Sequence, residues 1–298
     1  MTKSNSPNFS IVIPNFNGAK FIEPCLVTLH KAILSCPKSK FEIILVDNGS
    51  TDNSPEIFKK FFPENSKLIA LRSNFGFAKA VNDGIRTSKY DYVCVLNNDL
   101  NLNPDWFSLI SKAITENPKY STFCGTVLSY DGSKIESQGF KYFMSGRCEN
   151  INNGQPYKSS LRESLPRAKS RGDNLKAPYI PVWGSSAAVV VYQKSAIETV
   201  GLFDESFFAY IEDVDLAFRL SKNNYQSLLI PTAISYHLGG STSNNMGTLR
   251  QYYTFRNWIK LIVKNYSITE ILTNLPSITI ERLRNLSYLI RSSLIINK

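Results

Sequence analysis

The sequence predicts an α/β fold: a sheet with helices on both faces, followed by a helical C-terminal segment. Three observations predict it. Short apolar runs alternate with helix-like stretches through the first half of the chain, the pattern of repeated βαβ units. Those runs are mostly continuous rather than alternating in polarity, as strands buried on both faces are. From Thr248 onward the apolar residues recur at helical spacing.

Strands are expected over residues 10–14, 41–47, 67–71 and 90–96, and helices over 20–34, 55–61, 77–87 and 104–117. Residues 129–178 are rich in Gly, Ser, Asn, Lys and Arg with little periodicity, and read as a long irregular excursion with short strands. Regular structure resumes with a strand over 182–192, helices over 194–200 and 213–223, and a strand over 226–230. Beyond these, Phe255, Ile259 and Ile262 share one helical face, and Leu283, Leu286, Ile290 and Leu294 share another. Pro276 is expected to divide the two helices. The organisation is one domain over 1–245 with a basic, amphipathic helical extension over 246–298.

The chain has 298 residues, 43% of them hydrophobic and 19% charged. That balance excludes collagen-like, coiled-coil and wholly disordered proteins. No apolar run reaches the roughly 18 residues of a membrane-spanning helix. The polar start, 1–8, holds no apolar h-region, so a cytoplasmic location is expected. Five cysteines, odd in number and without CxxC spacing, argue against a disulfide framework or a zinc site. The net charge is +10, and +6 of it lies in residues 246–298, where eight Lys or Arg face only Glu270 and Glu281. A basic end-piece suits a phosphate-rich partner such as an anionic membrane, a lipid-phosphate substrate or nucleic acid; a solvated helical face accounts for it as well. The basic residues are not interleaved with aromatics as in a nucleic-acid module, so no nucleic acid is expected.

No glycine-rich dinucleotide or P-loop motif, HExxH, GxSxG or kinase signature is present. Three acidic or amide-rich clusters stand where strands should end. Asp47 opens the first, Asp47-Asn48-Gly49-Ser50-Thr51-Asp52. A carboxylate there points into the crevice where α/β sheets bind ligands. A turn and helix cap explain Ser50 to Ser54 but not a carboxylate closing the strand. The second is Asn97-Asn98-Asp99, where one carboxylate flanked by amides can hold a hard divalent cation together with water and phosphate oxygens, or simply form a turn. The third is Glu212-Asp213-Val214-Asp215 before an amphipathic helix. Three carboxylates so close repel one another and raise a pKa. Asp215 alone would complement the helix dipole, which leaves Glu212 and Asp213 for general-base or acceptor-binding work. His237, one of two histidines, precedes a glycine pair and could join Asp99 on a metal.

Together these residues resemble family 2 glycosyltransferases of the GT-A fold, over about residues 9–243 and in the family's order. Ile11-Val12-Ile13-Pro14-Asn15-Phe16-Asn17-Gly18 looks like the opening strand and nucleotide loop. Glu42 through Asp52 is similar to the segment whose Asp contacts the base. Asn74-Phe75-Gly76-Phe77-Ala78-Lys79-Ala80-Val81-Asn82-Asp83-Gly84 matches the family's N-x-G-x-A-x-x-x-N-x-G stretch. Leu96-Asn97-Asn98-Asp99 sits where the family carries its metal motif, with one carboxylate where many relatives have two. Val182 to Ala187 resembles the acceptor-side segment, and Gly201 to Glu205 with Glu212 to Asp215 the segment holding the base. His237-Leu238-Gly239-Gly240-Ser241 closes the set; the version with Asn97-Asn98-Asp99, Glu212-Asp213-Val214-Asp215 and His237-Leu238-Gly239-Gly240 is similar to the bacterial rhamnosyltransferase branch, which includes O-antigen enzymes, and Tyr252-Tyr253-Thr254-Phe255-Arg256-Asn257 resembles a segment found there.

The resemblance implies a mixed, Rossmann-like sheet over 1–245, with 129–178 on the acceptor side. It also implies an inverting transfer from a nucleoside diphosphate sugar, with rhamnose from dTDP-rhamnose first and a UDP-sugar as the alternative. Pro14, Asn15, Asn17, Asp47, Asn74, Gly76, Lys79, Asn97 and Asn98 would hold the nucleotide sugar. Asp99 and His237 would hold Mg²⁺ or Mn²⁺. Trp183, Gly184 and Glu212 would meet a glycan or lipid-linked acceptor, and Asp213 would be the base. The basic helices would seat the protein on the inner face of the cytoplasmic membrane. A non-catalytic nucleotide-sugar-binding or scaffolding subunit is the competing reading.

Overall fold

The computed structural model describes residues 6–62, 66–157, 179–238 and 248–296. Twelve strands and eight helices are formed among them. The strands are β1 (Phe9–Asn15), β2 (Phe41–Asp47), β3 (Ser66–Ala70), β4 (Tyr92–Leu96), β5 (Leu100–Leu102), β6 (Tyr120–Ser129), β7 (Ile135–Ser137), β8 (Phe140–Phe143), β9 (Arg147–Asn150), β10 (Ile180–Val182), β11 (Val189–Gln193) and β12 (Gln226–His237). The helices are α1 (Ala19–Leu34), α2 (Ser54–Phe61), α3 (Phe77–Thr87), α4 (Trp106–Glu116), α5 (Lys194–Thr199), α6 (Glu212–Lys222), α7 (Thr248–Asn265) and α8 (Ile268–Ile296).

The main sheet runs β10-β12-β6-β11-β4-β1-β2-β3, with β5 pairing β12 and β7 pairing β6. β3, β2, β1 and β4 are parallel. β11 lies antiparallel between β4 and β6, so the sheet is mixed. Both faces of the central strands are covered, which is why β1, β2 and β4 are mostly apolar. Phe9, Ile11 and Ile13 pack against Leu26 and Leu29 of α1, Phe58 of α2 and Phe107 of α4. Val12, Ile44 and Val46 face the other way, against Val81 and Ile85 of α3 and Leu216 of α6. The β1–β4 strands all deliver their C-terminal ends to one edge, and Asn15, Asp47 and Asn97 stand there.

Several expected boundaries shift. The stretch 182–192 is two strands, because Trp183 to Ala188 leaves the sheet before β11 begins. β12 continues past Ile230 to His237 through a register irregularity between Ile230 and Ile234. β6 was not expected: its Ser121, Thr122 and Thr126 are buried polar residues, and Thr126 Oγ1 donates to the Pro231 carbonyl at 2.9 Å. Within 129–157 the chain forms β7 and the β8–β9 hairpin; 158–178 lies outside the described residues. Pro276 sits inside α8 rather than between helices. The break falls after Asn265, where Ser267 and Glu270 form a reciprocal capping box: the Ser267 amide meets Glu270 Oε2 at 2.8 Å and the Glu270 amide meets Ser267 Oγ at 3.2 Å.

α7 is packed against the main domain. Trp258, Leu261, Ile262 and Tyr266 form a third apolar cluster with Phe207, Val214 and Phe218. Among the described residues, no helix is long and apolar enough to cross a membrane.

Candidate active site

The edge formed by β1, β2 and β4 holds a continuous amide–carboxylate network. Asn15 Nδ2 donates to Asp47 Oδ1 at 3.1 Å and to Ser54 Oγ at 2.8 Å, while its Oδ1 accepts from Asn98 Nδ2 at 2.7 Å. Asn17, with φ 49°, turns the chain so that its amide reaches Ser50 Oγ at 2.9 Å and its side chain accepts the Thr51 amide at 2.8 Å. Asn48 Nδ2 donates to Asn74 Oδ1 and to the Gly76 carbonyl, each at 3.0 Å. Gly76 has φ 92°, and a Cβ there would meet the Phe208 carbonyl at 2.4 Å, so only glycine fits. Six of the expected nucleotide-site residues, Asn15, Asn17, Asp47, Asn74, Gly76 and Asn98, thus gather at this edge. Pro14 lies in β1 opposite Val46. Lys79 faces along its own helix, with Nζ 2.5 Å from Asp83 Oδ1.

Asn97 joins this edge to the 183–188 loop, its amide donating to the Ala188 carbonyl at 2.8 Å. Its side-chain Oδ1 is buried without a hydrogen-bond partner among the described residues, an acceptor open to a ligand donor.

Asp99 follows. β12 brings His237 beside it: Nε2 is 3.4 Å from Asp99 Oδ2, and Nδ1 is 2.7 Å from Glu136 Oε2 on β7. Burial pulls the imidazole pKa down, but the bonds and charges of Asp99 and Glu136 outweigh it and push the value up to about 10. The position therefore draws positive charge. One carboxylate and one imidazole suit a hard divalent ion whose remaining positions go to phosphate and water oxygens, with the metal displacing the Nε2 proton. Among the described residues, no group of three or more His, Cys, Asp and Glu could hold a metal by itself. Gly239, Gly240 and Ser241 lie outside the described residues. Glu136 was missed from sequence, because nothing in its local pattern shows that β7 pairs with β6 next to β12.

The third cluster opens α6. Asp213 accepts from the Ala187 amide at 3.2 Å and the Val214 amide at 2.8 Å. Burial raises its pKa against these bonds. Glu212 is pushed up to about 8, by burial first and then by the charges of Asp213 and Asp215; its Oε2 has no hydrogen-bond partner among the described residues. Asp215 does something else. It is fully buried and binds Arg219 Nη2 at 2.8 Å, Lys264 Nζ at 3.0 Å and Asn265 Nδ2 at 2.8 Å, tying α6 to α7. Because Ala187 meets Asp213 and Ala188 meets Asn97, the 183–188 loop spans the two carboxylate clusters. In it, Trp183 stacks on Tyr142 with centroids 4.4 Å apart, and Gly184 sits where a Cβ would press on Ala217 Cβ at 2.6 Å.

The profile of glycosyl transferase family 2 matches residues 10–169, more than half of the chain, and that of glycosyl transferase family group 2 matches residues 92–291. The N-acetylglucosaminyl-diphospho-decaprenol L-rhamnosyltransferase of Mycobacterium tuberculosis is 27% identical over 251 residues, covering 79% of this chain and 78% of that protein. Among solved structures, GalNAc-T7 with UDP, GalNAc and Mn²⁺ superposes with a TM-score of 0.62 at 13% identity, covering 87% of this chain and 48% of that one. The mannosyltransferase PcManGT of Pyrobaculum calidifontis, solved with GDP-Man and Mn²⁺, gives 0.61 at 14% identity, covering 96% and 74%. The mixed sheet is thus the GT-A fold that the motifs implied, and the chain belongs to glycosyl transferase family 2.

Proposed function

We propose that this glycosyltransferase is an inverting, metal-dependent enzyme. It moves L-rhamnose from dTDP-rhamnose to a hydroxyl of a lipid diphosphate-linked glycan in bacterial surface polysaccharide synthesis. One observation carries the chemistry: Asp213, its pKa raised by burial, is held by the loop whose next residue is bonded to the Asn97-Asn98-Asp99 turn. Asp47 and the Pro14–Asn17 turn hold the nucleotide, with Asn74, Gly76, Lys79, Asn97 and Asn98 around the diphosphate sugar. Asp99 and His237 would hold Mg²⁺ or Mn²⁺, which when bound offsets charge on the leaving diphosphate. Asp213 takes the proton of the acceptor hydroxyl while that oxygen bonds to the anomeric carbon, opposite the breaking bond to the diphosphate. Glu212, protonated near neutral pH, donates a hydrogen bond to the acceptor, and Trp183 and Gly184 shape its bed.

The rhamnose assignment is supported by the mycobacterial relative and by the rhamnosyltransferase-like motifs. A UDP-sugar is the second reading, favoured by the UDP in GalNAc-T7. The test incubates the protein and Mn²⁺ with dTDP-rhamnose, UDP-glucose, UDP-galactose, UDP-N-acetylglucosamine or GDP-mannose, and measures nucleoside diphosphate release and binding. Release from dTDP-rhamnose alone supports the first reading. Release from a UDP-sugar alone moves the assignment to the second. No binding of any donor contradicts both.

A seat at the inner face of the cytoplasmic membrane is supported by α8, where Leu272, Leu275, Leu283, Leu286 and Ile290 form an exposed apolar row. Leu272→Glu with Leu283→Glu should lower flotation on anionic liposomes, and equal flotation would refute the seat.

A further inference from the structure

The loop that leads into the candidate base is strained, and the restraint on it comes from α7. Phe208, Tyr210 and Ile211 have φ of 65°, 69° and 70°, the left-handed region, although none is glycine and Ile211 is β-branched. Such a run persists only where surrounding groups over-determine it. Here one side chain is central. Asn257 is fully buried, and its Nδ2 lies 2.9, 2.9 and 2.8 Å from the carbonyls of Phe207, Ala209 and Tyr210. Its Oδ1 accepts from Arg256 Nε at 3.0 Å, and Arg256 Nη2 donates to the Ser206 and Phe207 carbonyls, each at 3.1 Å. The Tyr253 ring stacks on Phe208 at 5.2 Å. The loop passes the restraint to both halves of the site. The Phe208 carbonyl accepts the Phe77 amide at 2.7 Å, beside Gly76, and Ile211 is followed at once by Glu212 and Asp213.

We infer that Asn257 is a positioning residue for the transfer. Its amide holds residues 207–211 in a path with positive φ at Phe208, Tyr210 and Ile211, so that Asp213 stays against the Ala187 amide and the Gly76 turn stays closed on the nucleotide side. Arg256 secures that amide. The inference rests on the reading of Asp213 as the base. It also changes the status of residues beyond 245, since α7 then belongs to the catalytic apparatus whatever α8 does at a membrane.

The test compares full-length wild type with Asn257→Ala, Arg256→Gln and Asp213→Asn. It uses the donor selected by the panel above and its free nucleoside diphosphate as the binding probe. Four quantities are read: melting temperature, nucleoside diphosphate affinity with Mn²⁺, kcat per folded enzyme, and amide hydrogen exchange over 204–215 and at Phe77. The expected result for Asn257→Ala is a kcat lower by about 10²-fold, the scale set by an ångström of misplacement. Nucleoside diphosphate affinity should fall by a smaller factor than kcat, because the Gly76 turn is held by the same loop, with faster exchange confined to 204–215 and the Phe77 amide that the loop holds. Arg256→Gln should move the same quantities in the same direction by a smaller factor, and it keeps the test open if Asn257→Ala fails to fold. A purely structural role predicts a lower melting temperature and faster exchange throughout, with wild-type kcat per folded molecule; that pattern in either variant overturns the inference. Wild-type turnover in Asp213→Asn overturns it by a separate route, because the base assignment then falls while the Asn257 data stand.

Discussion

At the residue scale, the site sets charged groups where the fold makes them costly. Glu212 shows the consequence for stability. Its folded-state pKa is raised by burial and by Asp213 and Asp215, so the folded chain holds that proton more tightly than the unfolded one. The resulting stabilisation is complete below the ordinary carboxylate range and is lost as the pH climbs toward about 8. Glu212→Gln cannot ionise. It should therefore lose about 1–3 kcal/mol less stability than wild type between pH 5 and pH 8, measured by denaturant unfolding at both pH values; parallel losses would show that the carboxyl is solvated. The same sign governs activity. The Glu212–Asp213 pair titrates as a unit, and the proposed base Asp213 would work only when ionised, so the acid limb of kcat should lie above the usual Asp range. Glu136 gives a separate prediction. It orients the His237 ring through Nδ1 at 2.7 Å, and removing such a partner lowers metal affinity about 10–100-fold. Glu136→Gln should show that loss in Mn²⁺-dependent nucleotide binding by calorimetry, and unchanged Mn²⁺ dependence would remove Glu136 from the site.

At the scale of elements, close approach between α3 and the sheet is specified by Gly84. A Cβ there would lie 2.3 Å from Val12 Cγ1 and 3.0 Å from Cγ2. Valine has few rotamers with which to yield, so Gly84→Ala should destabilise by about 1–3 kcal/mol, read as a lower unfolding midpoint. An unchanged midpoint would mean that α3 rides higher on the sheet. The β1–β4 and α1–α4 order was legible in the sequence because β1, β2 and β4 are buried on both faces and their runs are mostly apolar, interrupted only by Ser10 and Glu42. β6 was not legible, since its serines and threonines are satisfied by distant partners such as the Pro231 carbonyl. The helix break was misread at Pro276, although the Ser267-to-Glu270 spacing carried the true signal. Asp47 and Asp99 were legible as strand-end carboxylates. Glu136 and Asn257 act across 101 and about 50 residues of chain, and no local pattern reports such a contact.

At the scale of the whole molecule, the basic excess of the last segment turns out to be largely committed internally. Lys264 binds Asp204 at 2.7 Å and Asp215 at 3.0 Å, Arg256 binds loop carbonyls, and Arg282 donates to the Gly146 carbonyl at 2.8 Å while lying over the Trp258 ring. Charge that looked available to a phosphate-rich partner thus helps to fasten α7 and α8 to the main domain, and the exposed row on α8 is the stronger argument for a surface contact. The account as a whole stands on Asp213. The most direct test is nucleoside diphosphate release from the panel-selected donor with Mn²⁺, wild type against Asp213→Asn, with nucleotide affinity measured beside it. The account predicts a loss of about 10²–10⁴-fold in rate, the contribution of a general base, with affinity unchanged. Equal rates in the two proteins would contradict it.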